Sequence, residues 1–449
     1  MSSTGARDTA VSLGSRIAVL LIGLAIQSTL AWLLGPDGRG AYAVCLLFAT
    51  LLGTCFAFGM DTAGQYFVAS KRMTVSEGVW ATIGSLVAAS LVAVVFGRIL
   101  MEFDLAFLTK ASRSSFYVAL VVVPFHVVGQ GCILLLVGLG RITWMAITAI
   151  VNSFVQLLFA FVLIRVFDLG VNGALLAIVA AGTINIIFGL IAFRQEGAFE
   201  SMRAGILHRK GLTASGHMKR LAAYGARFYV ARLSSTVNFR IGTMVLAFFA
   251  PTREIGIFAA ASGLVSRILL VPTSIETALF SRVAADARGR PETVAQAARA
   301  SGLVSGAMLL VLGLLSRPVV LVLLSPEFEP AIKLIWIMIP GIFVRAASKV
   351  LMPYFTGTDR PAVCSWAVGV GMAANIAGIL ILLPVMGLEG AAWAMTIGFL
   401  VSSIVLVAVF RRATGLSLAR TWIPRREDIR AIIGMVRSVL VRFGAGQRA

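Results

Sequence analysis

Residues 33–44 read LLGPDGRGAYAV. One apolar run stops at Gly35-Pro36-Asp37-Gly38, and another starts at Ala41. Pro presets φ and Gly accepts positive φ, so Pro-Asp-Gly reads as a tight turn. A short polar turn between two long apolar stretches is a helical hairpin, either in a membrane or in a large soluble bundle. Composition decides between them. The chain of 449 residues is 59% hydrophobic and only 13% charged, whereas soluble domains are about 25% charged. Apolar windows long enough to cross a ~30 Å hydrocarbon core recur along almost the whole chain. The reading is an all-α polytopic membrane protein of about twelve transmembrane helices, each long enough to span. The first is expected over 14–34 and the last over 389–410.

The formal net charge is +20. Most Lys and Arg lie in short segments between apolar runs: Lys71-Arg72, Arg141, the 194–219 loop, Arg360 and the tail from Arg411. Positive-inside topology explains this and puts both termini in the cytoplasm of a plasma-membrane protein. Nucleic acid is excluded as a partner, since no recognition motif accompanies the charge. Cys45, Cys55, Cys132 and Cys364 all sit in apolar runs without CxxC spacing. They read as small buried hydrophobes, not as metal ligands. The N-terminus has no short h-region with a cleavage site, so the first apolar run is read as a retained span. There is no HExxH, no Walker loop, no useful carboxylate pair and no Ser/His/Asp set, so no catalytic residue is expected.

The opening turn recurs. A shift of 216 residues places Arg16 on Arg232, LAWLLGPDGRGAYA (30–43) on LAFFAPTREIGIFA (246–259), and Pro124 on Pro340. GVNGALLA (170–177) falls on GLEGAAWA (387–394), and GLGR (138–141) on GTDR (357–360), at nearly the same offset. Five ordered matches indicate duplication. The expected organisation is an N-terminal six-helix lobe (1–193), a cytoplasmic inter-lobe loop (194–219), a C-terminal six-helix lobe (220–412) and a tail (413–449). Six spans per copy make the repeat parallel. Transporters built this way hold substrate between the halves and alternate access by rocking them. In the tail, Ile429, Ile432, Val436 and Leu440 fall on one stripe and Arg426, Arg430 and Arg437 on another. That is a basic amphipathic segment suited to membrane lipids.

LGPDGRGAY, APTREIGIFAAA, GVNGALLA and GLEGAAWA, in this order, resemble the polysaccharide-exporter flippases. That family shares a superfamily with the MATE drug exporters and the lipid II flippase. The resemblance covers roughly residues 10–412 and rests on order and spacing more than on any one motif. It implies transport of undecaprenyl-diphosphate-linked glycan across the inner membrane for polysaccharide biosynthesis, with other polysaccharide-assembly proteins as partners. It implies no cofactor beyond a coupling ion, H⁺ or Na⁺. Gly242 stands where many members carry an acid in span 7, which weakens the case for a coupling acid there.

Charge inside a span costs about 2.5–3.5 kcal/mol for a central Arg on insertion scales, so each such residue needs a reason. Arg16, Arg232, Arg240, Arg267, Arg345 and Lys349 are the candidates for a cationic cavity. Arg345 and Lys349 share a helix face at i,i+4 spacing. Cations outnumber acids in these spans, and a diphosphate matches the guanidinium fork. Snorkelling to the interface is the competing explanation for the cations near span ends. Gln27, Asn152 and Asn375 are expected in a polar cavity. Asp61 and Glu276 read either as salt-bridge partners or as coupling-ion sites. A MATE-type cation antiporter would need acids in its cavity, yet the first span offers Arg16. The lipid II flippase usually has two additional spans. Both remain as alternatives to an oligosaccharide-lipid flippase.

Overall fold

A computed structural model describes residues 3–198, 214–273, 275–276, 279, 291–358, 360–417, 422 and 428, without the side chains of Arg16 and Arg232. Fourteen α-helices, and no strands, lie among the described residues. They are α1 (Ser3–Ala57), α2 (Met60–Ala69), α3 (Val75–Leu100), α4 (Arg113–Gly138), α5 (Ile142–Arg165) and α6 (Gly170–Gln195). Then come α7 (Ala214–Phe249), α8 (Thr252–Ser266), α9 (Pro291–Leu314), α10 (Ser316–Leu323), α11 (Ala331–Lys349), α12 (Met352–Gly357), α13 (Pro361–Met386) and α14 (Leu388–Thr414). Ten helices among the described residues are long and apolar enough to cross a membrane. One of these is the 40-residue stretch Ala18–Ala57. At 1.5 Å per residue it runs about 60 Å, twice a hydrocarbon core. Gly35 interrupts it with φ 63, ψ −177, so the helix is two spans joined at the Gly-Pro-Asp-Gly kink. A further short apolar helix, Arg240–Phe249, lies within α7.

The outer surface agrees with a lipid environment. On α3, Val87, Leu91 and Val95 are exposed at successive turns, and on α13 Ile381 and Val385 are exposed. Exposed apolar stripes of this kind mark contact with a non-aqueous medium. Arg98 pairs with Glu102, and Arg113 approaches the same carboxylate at 3.3 Å. The Arg98 hydrogen bond holds the exposed Glu102 carboxyl below its usual range.

Packing divides the chain into two compact units, residues 1–260 with 321–329, and residues 261–320 with 330–449. In the first unit, α5 and α6 pack together, α4 lies against α6, and α1 runs against α5. Thr74 and Glu77 form a capping box that starts α3, which satisfies two otherwise orphaned backbone donors. The two repeat-related turns meet. A Cβ on Gly40 would stand 1.9 Å from the Thr252 carbonyl oxygen, and one on Gly256 would stand 1.9 Å from that of Pro36. Gly40 and Gly256 are repeat mates, so the bare backbones of the two copies touch where any side chain would clash. Asp37 and Arg253 face each other at 3.6 Å across the same pair of turns.

In the second unit, α13 packs along α14, α14 against α11, and α11 against α9. Ser301 donates to the Ala346 carbonyl at 3.0 Å, and Thr396 to that of Ile337 at 2.7 Å, the usual interhelical polar contacts of membrane bundles. Other repeat signatures keep matching roles. Gly170 and Gly387 both take positive φ immediately before the body of α6 and α14. Arg141 and Arg360 both stand at the N-cap, before α5 and α13. Pro124 and Pro340 both lie inside helices, α4 and α11. Of the tail, residues 413–417, 422 and 428 are described; the expected amphipathic stripe lies outside the described residues. Asp428 is fully buried and forms a two-pronged ion pair with Arg299 of α9, at 2.7 and 3.0 Å.

Candidate functional site

In the first unit, five helices enclose a polar recess of about 220 Å³. Spacing on each helix explains how. On α1, Tyr42, Leu46 and Thr50 follow at i, i+4 and i+8; on α4, His126 and Gln130 are one turn apart; on α5, Asn152 and Gln156 likewise. Helical periodicity puts each set on one face. Asn185 enters from α6 beside Gly182, and Arg240 from α7. The Thr50 hydroxyl is already spent on its own helix, donating to the Leu46 carbonyl at 2.8 Å. Asn185 is 8% exposed, and its Oδ1 accepts no hydrogen bond among the described residues. Arg240 lies within electrostatic reach of the Tyr42 phenol. No carboxylate lines the recess among the described residues. It is a hydrogen-bonding pocket with four amides and one positive charge.

A second cluster lies in the other unit. Arg345 of α11 is 3% exposed, and its Nε and Nη1 make no hydrogen bond among the described residues. Lys349, one turn on, donates to Thr273 Oγ1 at 2.6 Å and pairs with Glu276 at 3.4 Å. Two cations and one acid leave a single positive charge. Unmet buried donors cost about 1–3 kcal/mol each, so this is a high-energy place to keep a guanidinium.

The expected residues therefore divide. Arg240 and Asn152 share the recess of the first unit, and Arg345, Lys349 and Glu276 share the cluster of the second. Arg267 sits half-buried in a 3-10 turn after α8. Asn375 is buried on α13 against Gly398. Gln27 does not line the recess: its carbonyl accepts from Arg39 at 2.9 Å and its side-chain oxygen from the same guanidinium. Arg39 itself is 4% exposed, with its guanidinium 6.0 Å from the centre of the Phe328 ring. Asp61 opens α2, where its carboxylate accepts from the Thr62 amide at 2.7 Å. The side chains of Arg16 and Arg232 lie outside the described residues. Gly242 packs against the Phe258 ring, 2.9 Å from where a Cβ would stand, so an acid there would displace an aromatic wall.

Sequence reasoning centred on charge missed Tyr42, Gln130 and Gln156 as recess residues. The signal was present as neutral polar pairs one turn apart, His126/Gln130 and Asn152/Gln156, in otherwise apolar spans.

The fold is one that solved membrane transporters and a flippase share. A lipid II flippase, MurJ, in an inward closed conformation aligns with TM-score 0.70 and 14% identity, over 98% of this chain and 92% of that one. An inward-facing multidrug resistance MATE family transporter of the MOP superfamily aligns with TM-score 0.67 and 14% identity, over 90% and 97%. A Vibrio cholerae MATE transporter aligns with TM-score 0.60 and 14% identity, over 94% and 100%. These are transporters and flippases, not enzymes. At that identity they show the fold alone. No curated protein matches the chain. The family described as Polysaccharide biosynthesis protein matches over residues 6–285, more than half of the chain, and the protein belongs to it.

Proposed function

We propose that this protein flips undecaprenyl-diphosphate-linked oligosaccharide across the bacterial plasma membrane by alternating access, with both termini in the cytoplasm. One observation supports the reading: among the described residues, the recess of the first unit holds four amides and a guanidinium but no carboxylate. Amides pair with sugar hydroxyls in both directions, as donor and acceptor. A guanidinium complements phosphate. A cationic drug would meet a like charge there without a compensating acid. Arg345 and Lys349 supply further positive potential in the second unit, and H⁺ or Na⁺ is the candidate coupling ion.

The test uses cells carrying Arg240→Ala or Asn152→Ala at wild-type protein levels. Surface polysaccharide should fall at least roughly tenfold with Arg240→Ala, the loss of one charge-assisted contact, and less with Asn152→Ala. Polymer yield equal to wild type in both variants would remove the basis for the reading. Deleting the gene should leave resistance to cationic dyes unchanged; a gain in dye sensitivity would favour drug export instead.

A further inference from the structure

A second recess in the first unit has the opposite chemistry. It measures about 280 Å³, and every residue lining it is Val, Leu, Phe, Cys, Met or Ala. Its aromatic walls are braced: Phe107 meets Phe248 edge-on at 5.5 Å, and Phe56 meets Phe96 at 5.2 Å. Phe96 and Phe248 are 43% and 41% exposed, whereas Phe48 and Ala247 are buried. The recess is thus a groove with a closed floor and an open aromatic rim.

The groove and the polar recess are built on the same two helices. The face of α1 that presents Tyr42, Leu46 and Thr50 to the polar recess backs onto Phe48, Leu51 and Cys55 in the groove. On α7, Arg240 enters the polar recess, and Met244, Ala247 and Phe248 enter the groove. Those four residues share one helical stripe. It runs from a guanidinium to aromatic lining in about 12 Å, eight residues at 1.5 Å each. One helix face therefore grades from anion-binding to apolar, which is the polarity profile of a phosphorylated amphiphile.

We infer that the groove seats the phosphate-proximal part of the ligand's isoprenoid chain while its head occupies the polar recess. This rests on the proposed function and adds a chain site to it. The continuity of the α7 stripe with Arg240 selects the chain of that ligand over bulk lipid. Seating the chain fixes the depth and register of the head, so the groove contributes to selection and not only to affinity.

Two measurements on the full-length protein in nanodiscs decide it. The first is equilibrium binding of a diphospho-sugar carrying a farnesyl chain, against the same diphospho-sugar capped with methyl. The chain should tighten binding at least about tenfold through burial of apolar area. Ala247→Trp, which fills the groove, should erase the gain and leave the methyl-capped probe unaffected. Phe248→Ala, on the exposed rim, should erode the gain without disturbing the buried floor. The second needs no variant. A diazirine-bearing polyprenyl phosphate should crosslink wild-type Phe56, Phe96 or Met244, and unlabelled polyprenyl phosphate should outcompete phosphatidylglycerol. Equal tightening in Ala247→Trp and Phe248→Ala, or equal competition by phosphatidylglycerol, would overturn the chain site. Failure of the methyl-capped probe to bind wild-type protein at all would instead strike the proposed head-group site, and crosslinking would still report on the groove.

Discussion

Glu276 is the acid that Lys349 holds at 3.4 Å, and it stands near Arg345 in the second unit. Removing its charge leaves two cations in a mostly buried place. Breaking such a pair from one side costs about 3–5 kcal/mol when fully buried, and less here because Glu276 is 26% exposed. Glu276→Gln should therefore lower the melting temperature measurably in detergent. Lys349→Met alone should do less harm, and the double variant should recover much of the loss, since pair effects are non-additive. Additive losses across the three variants would show that Lys349 and Glu276 do not act together. Asp428 and Arg299 offer a sharper case. Both are buried and the geometry is bidentate, so Asp428→Ala should cost about 3–5 kcal/mol. Nothing in the sequence near position 428 announced this: an Asp in an Arg-rich stretch reads as a solvated charge until the fold buries it.

At the scale of elements, the turn between the two halves of α1 is the feature most legible from sequence. Pro-Asp-Gly marked the kink, and the repeat marked its counterpart at 251–256. Sequence could not show that the two turns interlock, because contact is a property of the bundle. Gly40→Ala should push the backbone at Thr252 aside, given the 1.9 Å approach. We expect reduced yield of folded protein in detergent, measured by size-exclusion chromatography, with Gly256→Ala matching it. Gly84→Ala, where a Cβ meets nothing within 4 Å, should be neutral and serves as the control. The polar recess was only half legible for a related reason. A charge in a span announces itself, but Gln130 and Gln156 are unremarkable singly. They become a site only when α4 and α5 turn the same spacing inward.

At the scale of the whole molecule, composition and periodicity were enough for a polytopic helical bundle. The division into compact units was not legible, because it depends on which helices pack and not on where the copies begin. The lipid-facing surface is testable directly. Leu91 is 58% exposed on α3, and Leu91→Arg should cost about 2.5–3.5 kcal/mol on insertion scales, seen as loss of membrane-integrated protein. Topology is testable at the turns. Asp37 and Arg253 side chains are 68% and 51% exposed. Under the proposed orientation, cysteines placed there react with an impermeant maleimide from outside intact cells. Labelling only after permeabilisation would invert the orientation.

The lack of a carboxylate among the described residues of the Arg240 recess also bears on inhibitors. Lipophilic cations, the usual stock of efflux-pump screens, have no anionic anchor among the described residues of that recess. A blocker designed for it would join a compact acid, such as a phosphonate, to a short branched hydrocarbon.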